Sequence, residues 1–205
     1  GSHAENSVVD WVLLEIRNAT APGQVLSTRA AFIQRDGDIV DLDGLSPVFF
    51  SDLEPGEFYV SVKHRNHLGV MTGTAVTLDE NPLAVIDFTA MPNGTVAGSG
   101  TAGRSWGNNA QAVVDAVNGI YAVRGGNANA DALVRYSGGA NDRNVLLNTC
   151  LNGNTGGIII GQYSLCDLDM NSIIRYSGGA NDRNFLLNTV FGGNTGILFN
   201  EQIPN

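Results

Sequence analysis

Arg135-Tyr136-Ser137-Gly138-Gly139-Ala140-Asn141-Asp142-Arg143-Asn144-Val145-Leu146-Leu147-Asn148-Thr149 returns forty residues later as Arg175 to Thr189, with Phe185 in place of Val145 as the one change. Extending both copies backwards aligns Asn127-x-Asn129-x-Asp131 with Asp167-x-Asp169-x-Asn171, so oxygen-bearing side chains stand in register. Such duplication suits a unit that cannot bury its apolar face alone.

Side-chain oxygens at the first, third and fifth positions of a loop, followed by a carboxylate that opens a helix, describe an EF-hand type calcium site. Alternate residues of a tightly curled loop point inward, and a hard cation of this size takes six to eight oxygens. The second copy offers Asp167, Asp169, Asn171, the backbone carbonyl of Ile173 and Asp182. The first offers Asn127, Asn129, Asp131, the carbonyl of Leu133 and Asp142. Two calcium ions are therefore expected, the second site binding more tightly because it gathers three carboxylates against two. Val134 and Ile174 hold the apolar eighth position, through which paired loops of this type exchange backbone hydrogen bonds.

The loops also depart from the standard pattern. Ala132 and Ser172 stand where glycine eases the turn, and Arg135 and Arg175 occupy the ninth position, where a cation cannot ligate another. The closing acid comes four residues late, with Ser137-Gly138-Gly139-Ala140 able to bulge outward. Asn141 and Asn181 are then placed to cap short helices.

Outward from the repeat, Asn109 to Ile120 carries Ala112, Val113, Ala116, Val117 and Ile120 at helical spacing and predicts one short helix. The Gly/Ser/Thr/Ala-rich stretch from Met91 to Gly107 reads as a linker or an ordered loop. Before it, seven short apolar runs lie between turn residues: Val8 to Ile16, Ala30 to Gln34, Ile39 to Leu42, Val48 to Ser51, Phe58 to Lys63, Val70 to Leu78 and Ala84 to Thr89. That spacing predicts an antiparallel β-sandwich, Ig-like or transthyretin-like. Phe58, Val60 and Val62 share one face of their strand, and Tyr59, Ser61 and Lys63 the other. The expected organisation is a tag remnant at 1–4, a sandwich at 5–92, a linker and short helix at 93–125, and the tandem repeats at 126–205. The fold class is mainly β with a small α region.

The 205 residues carry 11 Lys+Arg against 20 Asp+Glu, a net charge of −9 that disfavours nucleic acid and anionic lipid as partners and favours cations. No apolar run approaches the length of a membrane span, so no membrane insertion is expected. Cys150 and Cys166 lack metal-site spacing and admit a single disulfide, a feature of extracellular proteins. His64 and His67 would face opposite sides of an extended strand, although a turn at Arg65-Asn66 could join them; structural histidines are the expectation. No nucleophile elbow, phosphate loop or His-Glu-x-x-His occurs, and the chain is read as non-catalytic.

The pattern Asp167-x-Asp169-x-Asn171, continuing through Ile174-Arg175-Tyr176-Ser177-Gly178-Gly179-Ala180-Asn181-Asp182-Arg183-Asn184, resembles the dockerin-like calcium repeats near the C-terminus of large secreted surface proteins of Bacteroidota-type bacteria. Asp10 to Arg17 and Val62 to Met71 look like the front half of the same modules. Asn144 and Asn184 stand where that pattern often has a second acid. The resemblance implies an extracellular, non-catalytic, cell-surface module, with calcium rigidifying the loop-helix units for docking or adhesion. A protein partner or a surface glycan is the expected target. The alternative is a carbohydrate-binding or adhesin module, with Trp11, Trp106, Tyr136 and Tyr176 as candidate platforms; Trp11, set in an apolar strand, is expected in the core, and Tyr136 and Tyr176 on the surface.

Overall fold

A computed structural model describes residues 5–205; the expected tag remnant, residues 1–4, lies outside them. The chain is mainly β, with antiparallel pairing and two short helices. Six strands, β1 (Val8–Asn18), β2 (Val25–Gln34), β3 (Ile39–Val40), β4 (Gly56–Lys63), β5 (Val70–Met71) and β6 (Val76–Leu78), belong to one sheet in the order β3-β2-β1-β4-β5, with β6 also on β4. The turn spacing predicts two packed sheets; the hydrogen-bond register joins these strands into one.

Both faces of this sheet are nonetheless covered. Val12, Leu14, Ala31, Val62 and Val70 form one core face, against which Val48, Phe50, Phe88 and Val123 pack. Val48 to Ser51 and Ala84 to Thr89, expected as strands, lie in irregular segments here. Their apolar side chains are used for cover, and Pro47, Pro55 and Pro82 flank stretches that cannot donate a full ladder. On the opposite face Met71, Trp106 and Ile203 form a smaller core, with Tyr59 edge-on to Trp106 at 5.6 Å between ring centres. The alternation along β4 thus divides its side chains as its sequence predicts.

The predicted helix over Asn109 to Ile120 is a hairpin: β7 (Gln111–Asp115) and β8 (Ile120–Val123). Asp115 accepts hydrogen bonds from the Val117 and Asn118 backbones at 2.9 and 3.1 Å, and Gly119 takes φ +66°. This turn chemistry outweighs the helical spacing, and Val113, Val117 and Ile120, which a helix would have buried, stand exposed.

The repeats exchange strands. The first contributes β9 (Leu133–Arg135), helix α1 (Asp142–Asn144, continued as a π-helical turn through Val145–Cys150) and β10 (Ile158–Ile160). The second contributes β11 (Ile173–Arg175), α2 (Asp182–Asn184, continued through Phe185–Val190) and β12 (Leu198–Asn200). The last strand of each copy pairs with the first strand of the other, β10 with β11 and β12 with β9. Val134 therefore faces Phe199 and Ile174 faces Ile159, so the two loops do not bond to each other through their eighth positions as expected. The exchange extends to side chains: Ser137 donates to the Thr195 carbonyl and Ser177 to that of Thr155. One core results, built on Val134, Leu146, Leu168, Ile174, Leu186 and Phe191 from both copies.

A disulfide joins Cys150 in the first copy to Cys166 at the entrance of the second loop. The positions equivalent by the repeat are Val190 and Gly126, where a Cβ on Gly126 would meet Val190 Cγ2 at 3.6 Å. One crossing is thus covalent and the other apolar.

Candidate metal centre

Each loop is shaped by its own side chains. Asn171 N–H donates to Asp167 Oδ1 at 3.0 Å, Ser172 N–H to Asp167 Oδ2 at 3.1 Å, and Ile173 N–H to Asn171 Oδ1 at 2.7 Å. In the first copy Asp131 N–H donates to Asn127 Oδ1 at 3.2 Å and Leu133 N–H to Asp131 Oδ1 at 2.9 Å. The missing glycines do not prevent the curl. Ala132 and Ser172 adopt φ +63° and +67°, the left-handed conformation for which glycine would be the unstrained choice.

The closing acids come back across the loops. Asn141 and Asn181 cap α1 and α2 by accepting from Asn144 and Asn184 N–H at 2.9 Å. This places Asp142 and Asp182 as the first helical residues, both fully buried. Asp182 accepts from Leu168 N–H at 2.7 Å and Arg175 N–H at 2.8 Å; Asp142 accepts from Ala128 and Arg135 N–H at the same two distances. Four extra residues are accommodated because Gly138 to Ala140 and Gly178 to Ala180 loop into solvent, as the sequence suggests. Asn144 and Asn184 serve the caps through their backbones, while their side-chain oxygens accept from Arg143 and Arg183.

Carboxylate oxygens of Asp167, Asp169 and Asp182 lie within 4.8 Å of one another. Burial pushes the carboxyls of Asp142 and Asp182 up to about 6, and burial also raises Asp169. The neighbouring carboxylates add to each of these rises.

The expected carbonyl donors follow from strand register. Gly161 N–H bonds to the Ser172 carbonyl and Glu201 N–H to that of Ala132, which makes Ile160–Ile173 and Asn200–Leu133 non-hydrogen-bonded pairs. In such pairs both backbone groups turn away from the partner strand. The N–H groups of Ile173 and Leu133 already point to Asn171 and Asp131, so their carbonyls share the loop side. In the second copy three of the expected residues, Asp167, Asp169 and Asp182, converge; in the first, Asn127, Asn129 and Asp131 form the matching turn and Asp142 closes back on Ala128 and Arg135. The donor set is one a hard cation accepts, since each carboxylate oxygen bonded to an N–H keeps a second lone pair.

A second cluster abuts the second loop. Arg65 Nε donates to Asp10 Oδ2 at 3.1 Å, Arg65 Nη1 donates to the Ser164 carbonyl, and Nη2 lies 3.8 Å from Asp167 Oδ2. Asn66, fully buried, donates to the Asp167 carbonyl at 2.7 Å. The turn at Arg65-Asn66 brings His64 Nδ1 and His67 Nδ1 to 2.8 Å, while His64 Nε2 reaches Asp10 at 3.0 Å. Burial pushes His67 down to about 3 and lowers His64 too, so the pair is neutral at pH 7. The sequence drew attention to these histidines, yet Arg65 and Asn66 between them make the contact with the repeat. Two basic or amide residues inside an apolar strand-turn run were the available signal.

The aromatic expectations reverse. Tyr136 and Trp106 are buried and Tyr176 is half-buried beneath Arg183, whose guanidinium lies 5.1 Å from its ring centre. Trp11, expected in the core, is 43% exposed because its strand position falls on the face opposite Val12 and Leu14. Tyr163, which sequence reasoning passed over, is 60% exposed and donates its hydroxyl to Asp10 at 2.9 Å.

No protein family, curated protein or solved structure matches the chain. No helix among the described residues is long and apolar enough to cross a membrane.

Proposed function

We propose that the chain is a non-catalytic, extracellular structural and interaction module whose repeats bind two calcium ions. The observation that carries this reading is the convergence of Asp167, Asp169 and Asp182 within 4.8 Å, on a loop whose geometry the first copy repeats. Three acids this close repel one another, and Asp182 is buried at a cost that a divalent cation would offset.

Calcium would supply charge neutralisation and a rigid centre for each loop. Asp167, Asp169, Asn171, Asp182 and the Ile173 carbonyl would hold one ion; Asn127, Asn129, Asp131, Asp142 and the Leu133 carbonyl would hold the other. Because β10 and β12 each complete the other copy, fixing either loop steadies the shared core. Extracellular calcium modules have Kd values of roughly 10⁻⁴ to 10⁻³ M, and binding to the folded state alone stabilises it by mass action. The steadied helices then present a dockerin-like face to a protein partner.

The test is calcium calorimetry and thermal unfolding of the chelator-stripped protein beside the Asp167→Ala, Asp169→Ala, Asp182→Ala variant. Two binding events, a raised midpoint and loss of one event in the variant are expected. Absence of binding and of any midpoint shift overturns the reading. A glycan-binding, adhesive reading is favoured by Trp11 and Tyr163, both exposed, Tyr163 being held to Asp10 by its hydroxyl; loss of glycan-array binding in Trp11→Ala would support it.

A further inference from the structure

The core face of the six-stranded sheet is incompletely filled. Between Leu14, Ile16, Val60 and Val62 on the strands and the irregular segments carrying Phe50 and Phe88 lies a cavity of about 290 Å³, at the small end of ligand pockets. Its walls are apolar, so water inside would find few hydrogen-bond partners. Its border is different. Glu54, Asp79 and Glu80 line it, all exposed, and no Lys, Arg or His does. Phe49 and Leu83, also lining residues, remain 50% and 54% exposed on the covering segments, as side chains awaiting an apolar contact do.

We propose that this cavity binds a soluble, single-tailed amphiphile with a cationic head: an alkyl tail against the sheet and an ammonium group among Glu54, Asp79 and Glu80. The apolar walls select the tail, and the one-signed rim selects the charge. An anionic amphiphile of the same length would bring its head group among three like charges. The segments over the cavity are irregular, which lets a ligand enter without breaking a strand ladder.

Decyltrimethylammonium is the probe, titrated below its micelle-forming concentration by calorimetry, with decanoate and decyl maltoside as comparisons. One saturable site is expected, with decanoate weaker by about tenfold or more from rim repulsion. Ala84→Trp fills the cavity from a half-buried position on a covering segment and should weaken the cation by about tenfold or more through lost tail burial. Glu54→Gln with Glu80→Gln should weaken the cation about fivefold while leaving decyl maltoside unchanged. Circular dichroism checks that each variant folds, and the charge variant decides the matter should Ala84→Trp unfold. The proposal is overturned by no saturable binding, by decanoate matching the cation, by a folded Ala84→Trp binding as tightly as the parent, or by charge-insensitive binding in the double variant.

Discussion

The guanidinium of Arg65 borders the Asp167 carboxylate at 3.8 Å, so a cation from the turn that follows β4 already stands beside the second loop. On the calcium reading, it offsets the advantage that three carboxylates would give that loop over the first. Arg65→Met should therefore tighten calcium at the second site about fivefold, the Coulomb effect of one partly screened charge. The same change removes a partner of buried Asp10 and should lower the thermal midpoint. Calorimetry and melting of the variant check both, and unchanged affinity would show that Arg65 does not bear on the site.

Proton competition should be visible in calcium binding. With the metal absent, Asp142 and Asp182 hold their protons up to about pH 6, above the ordinary carboxylate range, so at pH 5 each must release a proton before it can ligate. Affinity should fall about tenfold per site between pH 7 and pH 5. Titrations in two buffers of different ionisation enthalpy at pH 5.5 would register the released protons.

The histidine pair makes folding itself sensitive to acid. His67 takes a proton only near pH 3 in the folded chain, whereas in the unfolded chain it does so near 6.5. Its folded value is depressed, so stability is lost as pH falls from about 6.5 toward 3. The loss of midpoint between pH 7 and pH 4.5 should be smaller in His67→Gln than in the parent. Equal losses would mean that His67 protonates freely in the folded state.

Opening the disulfide tests the covalent crossing against its apolar counterpart. Cys150→Val with Cys166→Gly installs the pair that the other crossing already uses, and should fold with a stability lower by about 3 kcal/mol. Gly126→Ala should cost about 2 kcal/mol or more at the apolar crossing, because Gly126 has φ +106° and a Cβ there would meet Leu186 Cδ1 at 2.7 Å. Chemical denaturation gives both numbers.

Glu15 anchors the other face of the sheet. It accepts from Arg17 Nε and Nη2 at 2.9 and 2.7 Å and from Ser61 at 2.8 Å, with Lys63 Nζ at 3.4 Å. Burial alone would raise its carboxyl, but these partners hold it below its ordinary value. Glu15→Ala leaves buried Arg17 without its carboxylate and should cost about 3 kcal/mol. Arg17 also donates to the Pro204 carbonyl at 2.7 Å, so the variant should loosen the C-terminal tail, measurable as faster amide exchange at Gln202 and Ile203.

Local chemistry was legible from residues alone. The alternation along Phe58 to Lys63, the capping asparagines, and the Asn/Asp turns of both loops with their register across the duplication are written in short spacings. What escaped is non-local. Nothing in the sequence near Val134 tells that Phe199 will pair with it, because a ladder is chosen by the whole set of available edges. The hairpin over 111–123 was read as a helix because alanine and valine recurred at a spacing that the Asp115 turn overrides. Trp11 looked like core because its neighbours are apolar on both sides, and only the register of β1 decides which face it meets. Arg65 gained its meaning from a carboxylate a hundred residues away.

The strand exchange has a consequence for symmetry. Each copy closes the ladder of the other through equivalent bonds, Ser137 to Thr195 and Ser177 to Thr155, as two subunits related by a rotation axis would. A chain carrying a single copy would lack the partner strand that each of these ladders uses here. The two copies thus sit in one polypeptide as the halves of a two-fold arrangement do, and they differ in three places: one crossing carries a disulfide, one loop a third carboxylate, and one flank the arginine of the turn that follows β4.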